Sequence, residues 1–315
     1  MIRTKNLLSL GLLASALAFG GCNRDGVKVN DDAESSEIAQ FNTDESDFSG
    51  ETEQVTTDLD LAIFNKVNAS GGRIEATICG ATIDSSLPNQ YTVTFDGTTP
   101  CKGRIRSGKI VVGLFNRPLW SMQGAVLALD FQDYKVKIVA SGKEHTFVGT
   151  AKIYNQTGGL AKNVLEGTGR VDSVVHRLRV SALRSNLANN YDANWNVAKT
   201  RTWVAKGENI FVRIKGDTTV GGLNNVSVWG RNRKNRQFYT QILQPIMATQ
   251  NCGFARPIAG VRYHGGFSKS VKTTFGVDAA GNPIATGANI FDCAFGLKLE
   301  FTNRQGNQTR VIAYQ

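Results

Sequence analysis

From residue 73 to the C-terminus, hydrophobic and polar side chains alternate along the chain. Tyr91, Val93 and Phe95, for example, alternate with Thr92 and Thr94. The pattern is typical of a β-strand with one buried face, because successive side chains of a strand point to opposite faces. It predicts strands at 74–78, 91–95, 105–114, 127–131, 136–138, 147–154, 171–183, 195–204, 209–215, 226–232, 237–243, 260–264, 269–275, 290–301 and 309–314.

Turn signals separate these segments, such as Asp96-Gly97 and Gly281-Asn282, and 33 glycines beside 6 prolines suit many strands joined by tight turns. Helical patterns of about 12 residues are missing between the strands, which argues against parallel βαβ units. We therefore expect an all-β body over residues 69–315. Its antiparallel meanders would form a large sandwich, a barrel or an extended twisted sheet. The alternation fades near 185–195, where we expect an internal boundary.

A short helix is predicted ahead of this body, over residues 54–68. Val55, Leu59, Ile63 and Val67 recur every fourth position, which places them on one face of an amphipathic helix. The simpler interpretation is a helix that docks on the surface of the body. A helix that binds a partner is the alternative.

The first 21 residues have the pattern of a secretory signal. Arg3 and Lys5 precede an apolar run over 7–19, which is shorter than the roughly 20 residues that a membrane-spanning helix needs. The run ends in FGGC, which resembles a bacterial lipobox. The resemblance implies cleavage before Cys22 and acylation of that cysteine, which would anchor the protein in a membrane. An ordinary signal peptide followed by a stray cysteine is the alternative.

The residue after the cysteine is Asn23, whereas an aspartate there would favour retention in the inner membrane. We therefore expect an outer-membrane lipoprotein, facing either the periplasm or the cell surface. Residues 25–60 carry 12 acidic side chains and a single basic one, Lys28, although the whole chain has a net charge of +10. Because 22–53 has few large apolar groups, we predict that it is an acidic disordered tether.

The four remaining cysteines, Cys79, Cys101, Cys252 and Cys293, are expected to oxidise outside the cytoplasm. Four cysteines allow three pairings. Pairing of neighbours in the sequence, Cys79 with Cys101 and Cys252 with Cys293, would staple each end of the body and is the favoured arrangement. A metal site is the rival interpretation, although the usual CxxC and Cys/His spacings do not occur.

Several runs of the body resemble an uncharacterised family of secreted lipoproteins from Bacteroidota. They are FDGTTPCKGRIRSGKIVV, LDFQDYKV, RTWVAKG, VWGRNRKNRQFYTQILQPI and NCGFARPIAGV, which together extend over most of residues 73–300. The matching residues are Cys101, Arg106, Gly108, Lys109, Asp130, Tyr134, Trp203, Gly230, Asn232, Pro245 and Cys252. The resemblance implies an envelope location and a β-rich fold, but no activity. Near Cys293 the chain departs from the Gly-rich acidic turn of that family.

Residues suited to catalysis are few. His145, His176 and His264 lie far apart in strand-like settings, and we expect them at the surface or rim rather than at a metal site. Asp130 and Asp133 are an odd number of residues apart, so a regular strand would point them to opposite faces. Serine-hydrolase elbows, HExxH and P-loops are absent from the sequence. We expect no catalytic site, no metal and no cofactor, and a hydrolase is the third-ranked hypothesis.

Basic residues beside aromatics form the strongest signal for binding. One predicted hairpin tip carries Arg231, Arg233, Lys234 and Arg236, flanked by Trp229 and Tyr239. A second basic tip carries Lys102, Arg104, Arg106 and Lys109. Aromatic and basic groups together suit stacking on sugars and pairing with anions. Solvated turns that protect strand edges are the alternative.

These observations favour a membrane-anchored, non-enzymatic envelope lipoprotein with a structural or binding role. The alternative is a surface module that binds an anionic glycan or lipopolysaccharide through its basic-aromatic hairpins. Envelope proteins are further candidate partners, and nucleic acid is not expected outside the cell. The oligomeric state stays open.

Overall fold

The computed structural model describes residues 33–67, 78–101, 103–161, 164, 173–187, 191–206, 209–254, 256–266, 270–284, 292–303 and 306–314. The predicted signal peptide, Cys22 and the first part of the predicted tether lie outside these residues. So do the start of the strand predicted at 74–78 and Lys102 of the second basic tip.

The described residues form one long helix followed by fifteen strands. They are α1 (Ala33–Val67), β1 (Ala81–Asp84), β2 (Gln90–Cys101), β3 (Arg104–Phe115), β4 (Val126–Ile138), β5 (Glu144–Asn155), β6 (Val174–Leu187), β7 (Tyr191–Lys206), β8 (Asn209–Gly216), β9 (Thr218–Val220), β10 (Leu223–Arg231), β11 (Gln237–Thr249), β12 (Ala259–Gly265), β13 (Val271–Val277), β14 (Gly296–Asn303) and β15 (Gly306–Ala313).

All strands belong to one antiparallel sheet, in which neighbours in sequence pair from β1 to β7 and from β10 to β15. The all-β antiparallel prediction is therefore confirmed. Between β7 and β11, β10 fills one part of the gap and β8 the other. β8 ends at Gly216, where it meets β10. A side chain has no room at this position, because a Cβ there would lie 1.9 Å from the carbonyl oxygen of Asn225.

The sheet curves around α1, because strands from β3 to β12 contact this single helix. Phe41, Phe48, Val55 and Leu59 of α1 belong to the main hydrophobic core. We call the surface that faces α1 the inner face. It includes Arg104, Arg106, Tyr134, His145, Phe147, Trp195, Lys199, Arg201, Phe238, Arg262 and His264.

A second core contains none of the described side chains of α1 and joins the later strands. It is formed by Trp203 of β7, Ile210, Val212 and Ile214 of β8, and residues of β11, β13 and β14.

The β6–β7 hairpin pairs continuously from Val174↔Trp203 to Leu187↔Tyr191, with one register shift. The internal boundary expected near 185–195 is therefore wrong, since the strands on its two sides, β6 and β7, pair with each other.

The predicted disordered tether over 22–53 is also wrong from Ala33 onward, because α1 begins there. The predicted helix over 54–68 corresponds to the second half of the same helix, which ends at Val67. Low hydrophobicity suggested a segment unable to offset its chain entropy. In the structure its acidic groups are buried and compensated by cations of the sheet, while its few large apolar side chains pack in the main core.

Both expected disulfides are present. Cys79 bonds Cys101 and Cys252 bonds Cys293, with sequence separations of 22 and 41. The first joins the segment before β1 to the end of β2, and the second joins the loop after β11 to the segment before β14. The strand predicted at 290–301 is shorter than expected, since β14 begins only at Gly296.

Two local irregularities change the predicted faces. Asp96-Gly97 lies inside β2, where the pairing with β3 shifts register, rather than in a turn between strands. Asp133 has a φ of 49° at a register shift in β4. Phe131 and Tyr134 are consequently both buried, so the alternation behind the argument on Asp130 and Asp133 does not hold there.

Candidate functional site

The candidate anion-binding residues lie on and between β10 and β11. Trp229 and Arg231 belong to β10, Tyr239 belongs to β11, and Arg233, Lys234 and Arg236 lie in the connecting turn. Buried Asn232 holds this turn together, since its Oδ1 accepts hydrogen bonds from the backbone amides of Lys234 and Arg236. The proximity that the sequence predicted is therefore real, but the six side chains do not form one site.

Arg233 does not lie with the other candidate residues, because its guanidinium binds a carboxylate of α1. Its Nε and Nη2 donate to the two carboxylate oxygens of Asp44 at 2.7 and 2.6 Å. This bidentate geometry is among the strongest that a protein side chain makes with an anion. The anion that Arg233 binds is thus part of the chain itself.

Trp229, Arg231 and Tyr239 remain together on the sheet surface opposite the inner face. Trp229 pairs in register with Asn196 of β7 on one side and with Tyr239 on the other. Two residues along the strand, Arg231 pairs with Asn194 and with Gln237. Because residues directly opposite in paired strands share a face, the register builds two adjacent rows of aromatic, amide and guanidinium groups.

These rows line a cleft of about 560 Å³. We call it the outer cleft, defined by Asn194, Asn196, Trp229, Arg231, Gln237 and Tyr239. Val220, Gly221 and Leu223, at the tip of the β9–β10 hairpin, form one wall. The volume is in the range of small-ligand sites in proteins.

Two glycines allow the strands and rings at the cleft to approach each other. A Cβ at Gly230 would lie 1.9 Å from the carbonyl oxygen of Asn194, so only glycine lets β7 and β10 pair this closely. A Cβ at Gly265 would lie 2.5 Å from the phenolic oxygen of Tyr239. The Tyr239 ring therefore lies across Gly265, with the Tyr263 ring centroid 6.3 Å away.

The polar groups of the cleft can both donate and accept hydrogen bonds. The amides of Asn194, Asn196 and Gln237 offer NH₂ donors and carbonyl acceptors. Partial burial and the neighbouring Tyr263 raise the pKa of Tyr239, so its hydroxyl stays protonated at neutral pH. Arg231 adds a positive charge at the rim, where its Nη1 also donates to the carbonyl oxygen of Asn235 at 2.9 Å.

The inner face holds a different set of charges. Each acidic side chain between Gln40 and Leu59 meets a basic side chain of the sheet or of the β10–β11 turn. The pairs are Asp44–Arg233, Glu45–Arg262, Asp47–His145, Glu51–Arg104, Glu51–Arg106, Glu53–Lys199, Glu53–Arg201 and Asp58–Arg106. The acidic leader and the basic body therefore neutralise each other across one interface.

Glu53 is the centre of a buried group that contains two cations. Its Oε1 lies 3.0 Å from Lys199 Nζ and its Oε2 lies 3.6 Å from an Arg201 nitrogen. Arg201, with a fully buried side chain, also donates to Thr56 Oγ1 at 2.8 Å. Burial alone would raise the pKa of Glu53, but the two cations outweigh it and lower the pKa.

Glu51 forms a second group with a phenol. The Tyr134 hydroxyl donates to its Oε1 at 2.5 Å, and Arg106 Nε lies 3.0 Å from the same oxygen. Burial and the nearby Glu51 carboxylate raise the pKa of Tyr134, which keeps the phenol as a hydrogen-bond donor. The second basic hairpin tip is therefore not a solvated turn at Arg106, which is 5% exposed.

All three histidines are buried, so their expected surface position is wrong. His264 Nδ1 lies 2.8 Å from Thr240 Oγ1, and its Nε2 lies 3.7 Å from Glu45. Burial and the adjacent Arg262 lower the pKa of His264 to about 3, so it is neutral at physiological pH. His176 is likewise fully buried and accepts a hydrogen bond from Trp203 Nε1 at 3.3 Å.

The pairs His264–Glu45 and His145–Asp47 place a histidine beside a carboxylate, which is the arrangement that would favour a hydrolase. Glu45 and His264 are 1% and 0% exposed, so a substrate cannot reach them while α1 is in place. Among the residues that the structure describes, no three His, Cys, Asp or Glu side chains lie together as a metal ion would need.

The sequence contains a signal for the inner face. On β7, Lys199 and Arg201 occupy the same alternating positions as Trp195, Val197 and Trp203, all of them buried. A cation on the apolar side of a strand requires a partner when it is buried. The acidic stretch ahead of the body was the available source of that partner.

Comparison with known proteins identifies no relative. No family model, no curated protein sequence and no solved structure matches this chain. Within the described part of the chain, no helix combines the length and the apolar character needed to cross a membrane.

Proposed function

We propose that the protein is a membrane-anchored, non-enzymatic envelope lipoprotein that binds an acidic glycan in the outer cleft. The lipobox-like FGGC at Cys22 supports attachment to the outer membrane. The observation that carries the binding role is the cleft itself, where Trp229 and Tyr239 lie beside three amides and Arg231.

Sugars suit this combination of groups. The faces of aromatic rings pack against the C–H faces of a pyranose, and amide groups hydrogen-bond to its hydroxyls. Arg231 at the rim adds a planar, permanently charged donor for a carboxylate or phosphate. The expected ligand is therefore an oligosaccharide with an acidic group, such as a uronate or a phosphorylated sugar.

Tryptophan fluorescence with two matched probes tests this proposal. Oligogalacturonate and neutral galacto-oligosaccharides of equal length are titrated into the full-length protein. Because Trp229 is partly exposed in the cleft, we expect its emission to change with either sugar and the acidic sugar to bind about tenfold more tightly, the gain expected from one charge-assisted hydrogen bond.

Three variants assign the effect to the cleft. Trp229→Ala should abolish binding of both probes, measured by calorimetry because the reporter is lost. Arg231→Gln should remove only the preference for the acidic probe. Arg213→Gln, which removes an exposed arginine of β8 outside the cleft, is the matched control and should change neither. Equal binding by the Trp229→Ala variant would contradict a glycan site here.

A further inference from the structure

The sheet does not need the backbone of α1 for its own hydrogen bonding. The ladder from β1 to β15 is continuous, and side chains of α1 form hydrogen bonds with side chains of the sheet and of the β10–β11 turn. In the described residues α1 is thus a helix seated in a groove rather than a member of the sheet.

The groove contacts a specific pattern of apolar side chains on the helix. Phe41, Phe48 and Val55 are seven residues apart, and Leu59 follows four later, so all four lie along one stripe. Phe48 stacks on Trp195 with ring centroids 4.4 Å apart. This is the anchor pattern of a helix bound in a groove.

The charges around this stripe add a second requirement. Asp44, Glu45, Glu51 and Glu53 are all less than 9% exposed and each meets at least one cation. Removal of one partner would leave a buried charge uncompensated, which is strongly unfavourable. The groove therefore discriminates against helices that carry the stripe without the acids.

The same charges make the helix separable. A buried ion pair contributes little net stability, because the desolvation of both groups offsets most of their attraction. When the helix leaves, the carboxylates and the cations regain water, whereas the faces of Trp195, Phe147 and Phe238 become exposed. The groove is consequently unfavourable when empty, and stable again when another helix of the same kind enters.

We infer that the inner face is a binding site for an acidic helix, which α1 fills in cis and which accepts an acidic helix from another molecule in exchange. The occupant in trans carries apolar groups at the positions of Phe41, Phe48, Val55 and Leu59, and carboxylates at those of Glu45, Glu51 and Glu53. That other molecule is a second copy of this chain, whose residues 33–67 form such a helix.

The covalent connection favours α1 over a competitor. Ten residues, 68–77, join α1 to the first described residue of the body, and a connector of this length holds a ligand at an effective concentration on the order of millimolar. Exchange is therefore best measured after this connection is cut. The experiment uses the full-length chain with a site-specific protease sequence inserted between Gly71 and Gly72.

After cleavage, a fluorescent peptide of residues 33–67 is added, and its anisotropy and the released native segment are followed together. We expect stoichiometric exchange in native buffer, and far less binding to the uncut chain at the same peptide concentration. A peptide with Glu45→Gln, Glu51→Gln and Glu53→Gln should bind at least about tenfold more weakly. A scrambled peptide of identical composition should not bind.

Two results would overturn the inference. One is the failure of the cut protein to release its own segment while the disulfides and circular dichroism stay native, which would make α1 a permanent core element. The other is equal binding of the neutralised or scrambled peptide, which would show that the groove does not distinguish helices by the presence and position of their acidic residues. A Phe48→Ala peptide, which keeps every charge, checks the apolar stripe separately and should also bind more weakly.

Discussion

The two faces of β7, β10 and β11 carry the same kinds of residue with opposite consequences. On the inner face, Trp195 and Phe238 pack with cations against α1, and almost nothing is exposed. On the outer face, Trp229 and Tyr239 lie beside amides and Arg231 in an open cleft. Aromatic and basic groups thus lie side by side on both faces, but only the structure distinguishes a groove that the chain fills itself from an open cleft.

The difference lies in what each set of charges can do. Arg233 and Arg231 are two residues apart in the sequence, yet Arg233 binds Asp44 of α1 whereas Arg231 lies at the rim of the outer cleft. The inner charges should therefore affect the free energy of unfolding, and the outer groups should affect ligand binding with little effect on stability.

The largest expected effect comes from the removal of Glu53. Glu53→Ala leaves Lys199 and Arg201 buried without their carboxylate. We expect a loss of about 3–5 kcal/mol in the free energy of unfolding, measured by urea denaturation. Glu144→Ala is the matched control, because its ion pair with Lys135 is exposed, at 3.8 Å, and should cost less than about 1 kcal/mol. Equal losses for the two variants would erase the contrast between inner and surface charges.

The second effect is a dependence of stability on pH that His264 produces. Its pKa is lowered to about 3 in the folded protein, whereas an unfolded histidine titrates near 6.5. The unfolded state therefore binds the proton first, and stability falls as the pH drops below about 6.5 toward 3. Between pH 7 and pH 5 the loss attributable to His264 should be about 2 kcal/mol.

His264→Gln isolates this contribution. The variant keeps a polar group near Thr240 and Glu45 but has no proton to bind in this range. Denaturation at pH 7 and pH 5 should show a smaller difference than in the parent protein. A slope that is unchanged would mean that another group controls the transition. Below about pH 4.3, the ordinary value of glutamate, a further loss is expected in both proteins, because cations lower the pKa of Glu45 and Glu53.

The smallest effect on stability is expected in the outer cleft. Gly265→Ala would bring a Cβ to 2.5 Å from the Tyr239 hydroxyl, and the ring can yield because it is partly exposed. We expect the free energy of unfolding to change by about 1 kcal/mol or less, and the affinity for oligogalacturonate to fall severalfold. A large loss of stability with binding intact would reverse the assignment of the two faces.

Much of the fold was predictable from local patterns. Alternation located most strands because a strand with one buried face enforces a period of two. It failed at Asp133, where an extra residue in β4 reverses the faces, and at Asp96-Gly97, where β2 continues through a turn signal. Local sequence does not reveal whether a neighbouring strand will accept a bulge, so these positions required the pairing partner.

The candidate site was predicted only in part. The sequence grouped Trp229, Arg231 and Tyr239 correctly, because they flank a single hairpin. It could not supply Asn194 and Asn196, which reach the cleft through the pairing of β7 with β10. It also assigned Arg233 to the same site, because nothing local indicates that Asp44, 189 residues away, would bind it.

The sequence by itself determined the antiparallel all-β body and the favoured pairing of Cys79 with Cys101 and of Cys252 with Cys293. These features depend on the alternation of side chains and on neighbouring positions in the chain. Only the tertiary structure decided that the acidic stretch from Ala33 is a helix inside the sheet. Its order depends on the core that receives Phe41, Phe48, Val55 and Leu59 and on the cations that compensate its buried carboxylates. Both are contributed by strands far away in the sequence, so a segment too polar to fold alone becomes ordered only where they surround it.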